Sequence, residues 1–201
     1  MHVLNTWQEW VGTETGVVLS TALALPVAAL VVPLLALLRR SRGVARPWRI
    51  SLADVGLVYG TLPWVWLLLL PGENAGSPGK LSLVPLNDLF DLAAKGERFQ
   101  IIGNMLVFAA LGFFGPLRFA ALQSVWRVLA LAAGCSAFLE ITQFAARLDR
   151  VSSVDDVLLN ATGAALAAVL SWPWWRAKTP STPQRAGSRQ ADDDVRAIRG
   201  A

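Results

Sequence analysis

Five long apolar blocks follow one another along the chain, separated by short polar connections and one longer loop. Each block has about 19 to 23 residues, and a helix of that length, rising about 1.5 Å per residue, crosses a hydrocarbon core of about 30 Å. The pattern therefore predicts five transmembrane helices, over residues 16–38, 52–71, 101–119, 125–146 and 154–175. Pro26, Pro33 and Pro63 predict kinks rather than breaks, because neighbouring groups in a bundle can satisfy the freed carbonyls.

The composition agrees with this pattern. Hydrophobic residues make up 54% of the chain and charged residues only 16%, whereas soluble domains average about 25% charged. The mean hydropathy is +0.47. A soluble globular domain is therefore excluded, and we predict an all-α, polytopic membrane helix bundle.

The chain has one cysteine, Cys135, and one histidine, His2, and they are far apart. The chain thus has too few cysteine and histidine residues for a disulfide, for a thiolate or histidine metal site, or for a Ser-His-Asp triad. We expect no metal and no cofactor. Any chemistry must come from carboxylates, amides and arginines.

The basic residues indicate the orientation. Thirteen of the 18 Lys and Arg residues fall in the connections on one side and five on the other, and none precedes the first helix. Cytoplasmic loops carry the basic excess, so the N-terminus is predicted outside and the C-terminus in the cytoplasm. The basicity reflects topology, and no nucleic-acid partner is expected.

This orientation divides the chain into three parts. Residues 1–15 form an extracytoplasmic segment, and residues 16–175 form the transmembrane domain. Residues 176–201 are polar and poor in large apolar side chains, which predicts a disordered cytoplasmic tail.

The longer loop, residues 72–100, carries apolar residues at helical spacing: Leu86, Leu89, Phe90 and Ala93. This spacing is typical of a short helix lying on the outer surface. The alternative is a mobile loop whose apolar residues merely touch the helix ends.

The fourth helix has a polar stripe. Ser136, Glu140, Gln143 and Arg147 stand at i, i+4, i+7 and i+11, which places them on one face. Ionisable groups in a span cost about 2.5 to 3.5 kcal/mol each, so this face is expected to point toward other helices.

The fifth helix begins with Ser152, Ser153, Asp155 and Asp156, where a serine can cap the helix and an acid three positions later can complete a capping box. A cap does not explain Asn160, which lies one turn beyond Asp156. In the third helix, Asn104 either forms a hydrogen bond that holds neighbouring helices together or is part of a site.

These residues lie at similar depths in the membrane, because most of them fall in the outer leaflet or at the outer ends of their helices. This predicts a polar pocket open to the outside, containing at least one arginine–carboxylate pair. The candidate ligand-binding residues are Asn104, Glu140, Gln143, Arg147, Arg150, Asp155, Asp156 and Asn160.

The run from Phe138 through Glu140 and Gln143, followed by Arg147, Arg150, Ser153, Asp155, Asp156, Asn160 and Gly163, resembles the signature of the VanZ-like family of small bacterial membrane proteins. The family's Asn-x-x-x-Phe is matched by Asn104 to Phe108, and its outer-loop proline stretch by Leu83 to Leu86. The resemblance covers about residues 81–172. It implies a multi-pass protein of the bacterial cell (inner or plasma) membrane and cell envelope.

The family is named after a protein associated with resistance to teicoplanin, a lipid-tailed glycopeptide antibiotic. The resemblance thus implies a role in antibiotic resistance as an expectation. It leaves the ligand and the oligomeric state open.

Two classes of function fit these residues. The first is an outward-facing pocket that binds a membrane lipid head group, a cell-wall precursor or an amphiphilic antibiotic, with arginines holding a phosphate or carboxylate. The alternative is an intramembrane hydrolase or transferase acting on a lipid-linked phosphate, with Glu140 as the candidate catalytic base. No nucleophile–base pair supports the enzyme, and the absence of an inverted repeat argues against a transporter.

Overall fold

The computed structural model describes residues 12–72 and 74–176, which form a bundle of helices with one short sheet. Most of the N-terminal segment and almost all of the tail predicted from the sequence lie outside the described residues. The elements are α1 (Glu14–Ser41), α2 (Pro47–Leu68), β1 (Lys80–Ser82), α3 (Asn87–Lys95), α4 (Arg98–Val107), α5 (Ala109–Arg118), a 3-10 turn (Ala120–Leu122), α6 (Val125–Ala145), β2 (Val151–Ser153) and α7 (Val154–Arg176).

Five helical segments are long and apolar enough to cross a membrane, which confirms the predicted fold class. They are α1, α2, α4 with α5 as Arg98–Arg118, α6 and α7. The spans differ from the predicted ones by up to five residues at an end. Helices α1 and α2 continue through their prolines, as predicted.

The third span is not one uninterrupted helix. Phe108 leaves helical geometry at φ −112° and ψ 15°, so α4 ends at Val107 and α5 starts at Ala109. No proline occurs at this point, and the apolar pattern gave no sign of the break.

Charged side chains fasten α1 to the bundle at the end opposite the sheet. Asp54 of α2 accepts hydrogen bonds from Arg39 of α1 at 2.6 Å and from Arg118 of α5 at 2.5 Å. Ser51 also accepts from Arg39, at 2.9 Å. One carboxylate thus joins three helices at the side that the charge distribution predicts to be cytoplasmic.

Helix α7 forms the centre of the bundle and packs against α4, α5 and α6. Small residues permit this packing, because a Cβ on Gly163 would lie 1.9 Å from the carbonyl oxygen of Met105. A Cβ on Gly112 would lie 2.0 Å from the carbonyl oxygen of Ala164. The backbones of neighbouring helices therefore touch at these two glycines, as small residues allow in membrane bundles.

The sheet lies where α6 ends and α7 begins. Strands β1 and β2 pair in parallel, with Lys80 opposite Val151 and Ser82 opposite Ser153. It ties the part of the long loop that lies ahead of α3 to the connection between α6 and α7.

The two glycine contacts make a prediction about stability. Gly163→Ala and Gly112→Ala should each lower the free energy of unfolding by about 1–3 kcal/mol, because the added methyl group meets backbone that cannot move aside. The measurement is the unfolding midpoint of purified protein in detergent.

Gly134→Ala is the matched control, since nothing lies within 4 Å of its Cβ position. That change should be neutral or stabilising by about 0.5–1 kcal/mol, because alanine is the better helix former. Equal effects of all three substitutions would contradict the close packing of α7.

Candidate functional site

Strand β2 passes directly into α7, and the polar residues at this junction reach four other elements. The junction, residues 152–156, contains two serines and two aspartates. Its side-chain and backbone hydrogen bonds extend to α6, α3 and α4, and the pairing of β2 with β1 connects it to a fourth element. These contacts tie the start of α7 to the elements around it.

The Asp155 carboxylate holds the start of α3. It is only 2% exposed and accepts hydrogen bonds from the backbone N–H groups of Leu86 at 2.5 Å and Leu89 at 2.9 Å. Leu86 has left-handed backbone, φ 68°, a conformation that costs a residue with a Cβ about 1–3 kcal/mol. Asp155 therefore caps another helix across 69 positions of sequence, rather than completing a capping box within α7.

Ser153 links three carboxylate-bearing elements. Its hydroxyl donates to Asp88 at 2.6 Å and accepts from the Asp155 N–H at 3.1 Å, so the predicted serine cap is present. Its own N–H donates to the Glu140 carboxylate at 3.1 Å. Ser152 donates to the Glu140 carbonyl oxygen at 3.0 Å. The buried Glu140 is thus tied to the junction.

Asp88 was not among the residues predicted for the site. It lies in the first turn of α3, outside the membrane spans, and hydrogen bonds from Ser153 and then Ser82 hold its pKa below the usual value. The sequence signal was its place on the polar face of the predicted surface helix.

Amide side chains join the remaining helices. Asn104 of α4 donates to Asp156 of α7. One turn further along α7, Asn160 donates to Ser136 of α6 at 2.7 Å. Asn160 is 2% exposed, and its Oδ1 has no hydrogen-bond partner among the described residues. These three helices are therefore connected by amides.

Two predicted site residues hold the end of α2. Gln143 donates to the carbonyl oxygen of Leu68 at 2.7 Å, and Arg150 donates to that of Leu67 at 3.1 Å. The last carbonyls of a helix lack intrahelical partners, and a cation there also interacts favourably with the helix dipole. The Arg150 Nε is buried and has no partner within the described part of the chain.

Arg147 does not belong to the polar face of α6. The helix ends at Ala145, and Arg147 is exposed in left-handed backbone at φ 51°. The i+11 spacing therefore does not put it beside Glu140, because the chain has already turned away. That part of the stripe prediction is wrong.

The expected arginine–carboxylate pair is also wrong for this region. Among residues 12–72 and 74–176, the ion pairs are those of Asp54 with Arg39 and Arg118. Arg150 forms no ion pair with Glu140 or Asp156 within these ranges.

Three of the eight predicted residues line two separate cavities. Arg150 and Asn104 line a cavity of about 390 Å³, together with Gln100, Glu14 and apolar side chains that include Trp64, Leu67 and Phe99. Glu140 lines a separate cavity of about 190 Å³ beside Ser152 and Ser153. No three His, Cys, Asp or Glu side chains within the described ranges are arranged to hold a metal ion.

The family model described as VanZ/LLP1 matches residues 56–176. The chain belongs to this family. The match includes all eight candidate residues and begins earlier than the predicted resemblance, since it takes in α2 from Gly56 onward. That extension fits the geometry, because Gln143 and Arg150 hold the end of α2. No curated protein matches the chain, and no solved structure does.

As a VanZ/LLP1 protein with five apolar spans, the chain is a multi-pass membrane protein. Its most motif-rich segment, residues 138–160, supplies most of the hydrogen bonds described above. In this member of the family, Asp155, Gln143 and Arg150 all satisfy backbone groups at helix ends.

The Asp88–Ser153 hydrogen bond makes a prediction about pH. Because the folded pKa of Asp88 lies below its unfolded value of about 3.9, the bond stabilises the fold fully above that value and is lost as pH falls through the folded pKa. Ser153→Ala should therefore lower the unfolding temperature in detergent near neutral pH, with a gap to wild type that narrows below about pH 4.

Ser136→Ala is the control, because Ser136 bonds to an amide that does not titrate in this range. Its gap to wild type should not change with pH. A Ser153→Ala gap that is equally constant would show that Asp88 gains nothing from the bond.

Proposed function

We propose that this protein binds the polar head group of an amphiphile at the end of the bundle where the sheet lies, and that this end faces the outside of the cell membrane. The observation that carries the proposal is the cavity of about 390 Å³ lined by Arg150. Candidate amphiphiles are an envelope lipid, a lipid-linked cell-wall precursor and a lipid-tailed glycopeptide antibiotic.

Arg150 supplies the recognition chemistry. One of its nitrogens is used on the Leu67 carbonyl, but its Nε has no partner in the described chain and it forms no ion pair there. A guanidinium has five N–H donors in a rigid fork that suits phosphate and carboxylate. An anionic group would complete its hydrogen bonds in a partly desolvated place, where charge-assisted bonds are strong.

The cavity walls suit the rest of an amphiphile. The polar side chains of Glu14, Gln100 and Asn104 line the cavity with Arg150, whereas Trp64 and Phe99 offer apolar surface. Ligand sites commonly combine an apolar lining with a few placed polar groups. The apolar walls would accommodate the part of the molecule that joins the head group to its tail.

Glu140 has a different place in this proposal. It lines the other cavity, and its carboxylate already accepts from the Ser153 N–H. Its contacts make it a support for the junction rather than a contact of the head group. Antibiotic resistance would follow only if the bound amphiphile were a glycopeptide or its target.

Binding of dioctanoyl phosphatidylglycerol and dioctanoyl phosphatidylcholine to the purified protein, followed by native mass spectrometry, tests the proposal. We expect saturable binding with preference for the anionic lipid. Arg150→Gln should weaken it by about tenfold, or about 1.4 kcal/mol, near the lower range for a hydrogen bond to a charged group.

Arg147→Gln is the matched control, since Arg147 is exposed at the same end and does not line the cavity. Its affinity should stay close to that of wild type. Equal losses in both variants would reduce the effect to general surface charge and contradict a site at Arg150. So would the absence of saturable binding in wild type.

A further inference from the structure

The segment from β1 to α3 carries a row of exposed apolar side chains. Leu81, Leu83, Val84, Leu86 and Phe90 are between 46% and 68% exposed, and we call these five residues the apolar crest. α3 itself contains no buried residue. Such a contiguous apolar surface is rare on a protein face that meets only water.

The crest cannot turn inward, because its other side is tied to the bundle. β1 pairs with β2, and the Asp155 carboxylate holds the N–H groups of Leu86 and Leu89. Ser153 holds Asp88 one position earlier than Leu89. The fold therefore presents these side chains outward in a fixed position.

The crest is continuous with the surface of a membrane span. Leu81 and Leu83 line the cavity of about 190 Å³ together with Ile141 and Phe144 of α6, which are 65% and 40% exposed. α6 is one of the five spans, so its exposed apolar residues face lipid. The apolar surface thus runs from the span onto β1 without a polar gap at this cavity.

Exposed basic side chains lie close to the crest in sequence. Lys80 immediately precedes it, and Lys95 and Arg98 follow at the end of α3 and the start of α4. Cations on long stems can reach lipid phosphates while their methylenes stay on apolar surface. Apolar contact with flanking positive charge is the pattern of an interfacial anchor.

We propose that the apolar crest inserts into the head-group region of the leaflet at this end of the bundle, making residues 80–95 a membrane-surface docking element whose partner is lipid. The crest then places the junction of β2 and α7 at the depth of the lipid head groups. This inference rests on the span surface and does not depend on ligand binding at Arg150.

Spin labelling tests the proposal. In a Cys135→Ser background, single cysteines replace Leu83, Phe90, Asp91 or Leu30, and a nitroxide label is attached to each in phosphatidylcholine–phosphatidylglycerol nanodiscs. Leu30 is a lipid-facing reference in α1, and Asp91 is an exposed polar position on α3 itself. The measurement compares how often the label collides with oxygen, which concentrates in lipid, and with a nickel chelate, which stays in water.

Labels at positions 83 and 90 should shift toward oxygen, as at position 30, whereas the label at position 91 should favour the nickel chelate. All four substituted side chains are exposed or lipid-facing, so folding should not be at risk. Nickel accessibility at 83 and 90 equal to that at 91 would overturn the proposal. Exclusion of both reagents with dipolar broadening between labels would also overturn it, because a second copy would then cover the crest.

Discussion

A buried carboxylate at the start of α7 determines how the sheet end of this bundle is built. An unpaired charge removed from water costs several kcal/mol, so Asp155 is tolerated only with hydrogen-bond donors in place. Those donors are the backbone N–H groups of Leu86 and Leu89, which themselves lack helical partners. The carboxylate gains donors and the two N–H groups gain an acceptor, and these hydrogen bonds fix α3 to α7.

Polar groups across the junction satisfy one another's hydrogen bonds in the same way. Ser153 forms hydrogen bonds with Asp88, Asp155 and Glu140. Gln143 and Arg150 donate to the last carbonyls of α2. Most of the polar motif therefore holds helix ends together where the membrane spans finish. This makes loss of a motif residue a poor indicator of ligand contact, because it also disturbs the frame. Arg150 differs, since its Nε has no hydrogen-bond partner among the residues that the structure describes.

Several features followed from sequence because they depend on local periodicity. The five spans are set by which side chains tolerate lipid. The helix containing Leu89 and Phe90 was one of two interpretations that the spacing left open, the other being a mobile loop. The motif from Glu140 to Asn160 also identified the family, although it did not reveal that α2 belongs to the matched region.

Other features depend on partners that periodicity cannot supply. The three-residue strands carry too few positions to show a period of two, and their pairing joins residues 71 apart in sequence. The end of α6 before Arg147 and the break at Phe108 arise without a proline at either point. The capping of α3 by Asp155 requires knowing which helix begins beside it, which is a property of the folded bundle.

Hydrogen–deuterium exchange at the backbone amides of Leu86 and Leu89 tests the central claim most directly, comparing wild type with Asp155→Ala and with Asp156→Asn as the neighbouring control. If the Asp155 carboxylate holds α3, both amides are protected in wild type and in Asp156→Asn, and both exchange much faster in Asp155→Ala while the spans remain protected. Unchanged protection of Leu86 and Leu89 in Asp155→Ala would contradict the account.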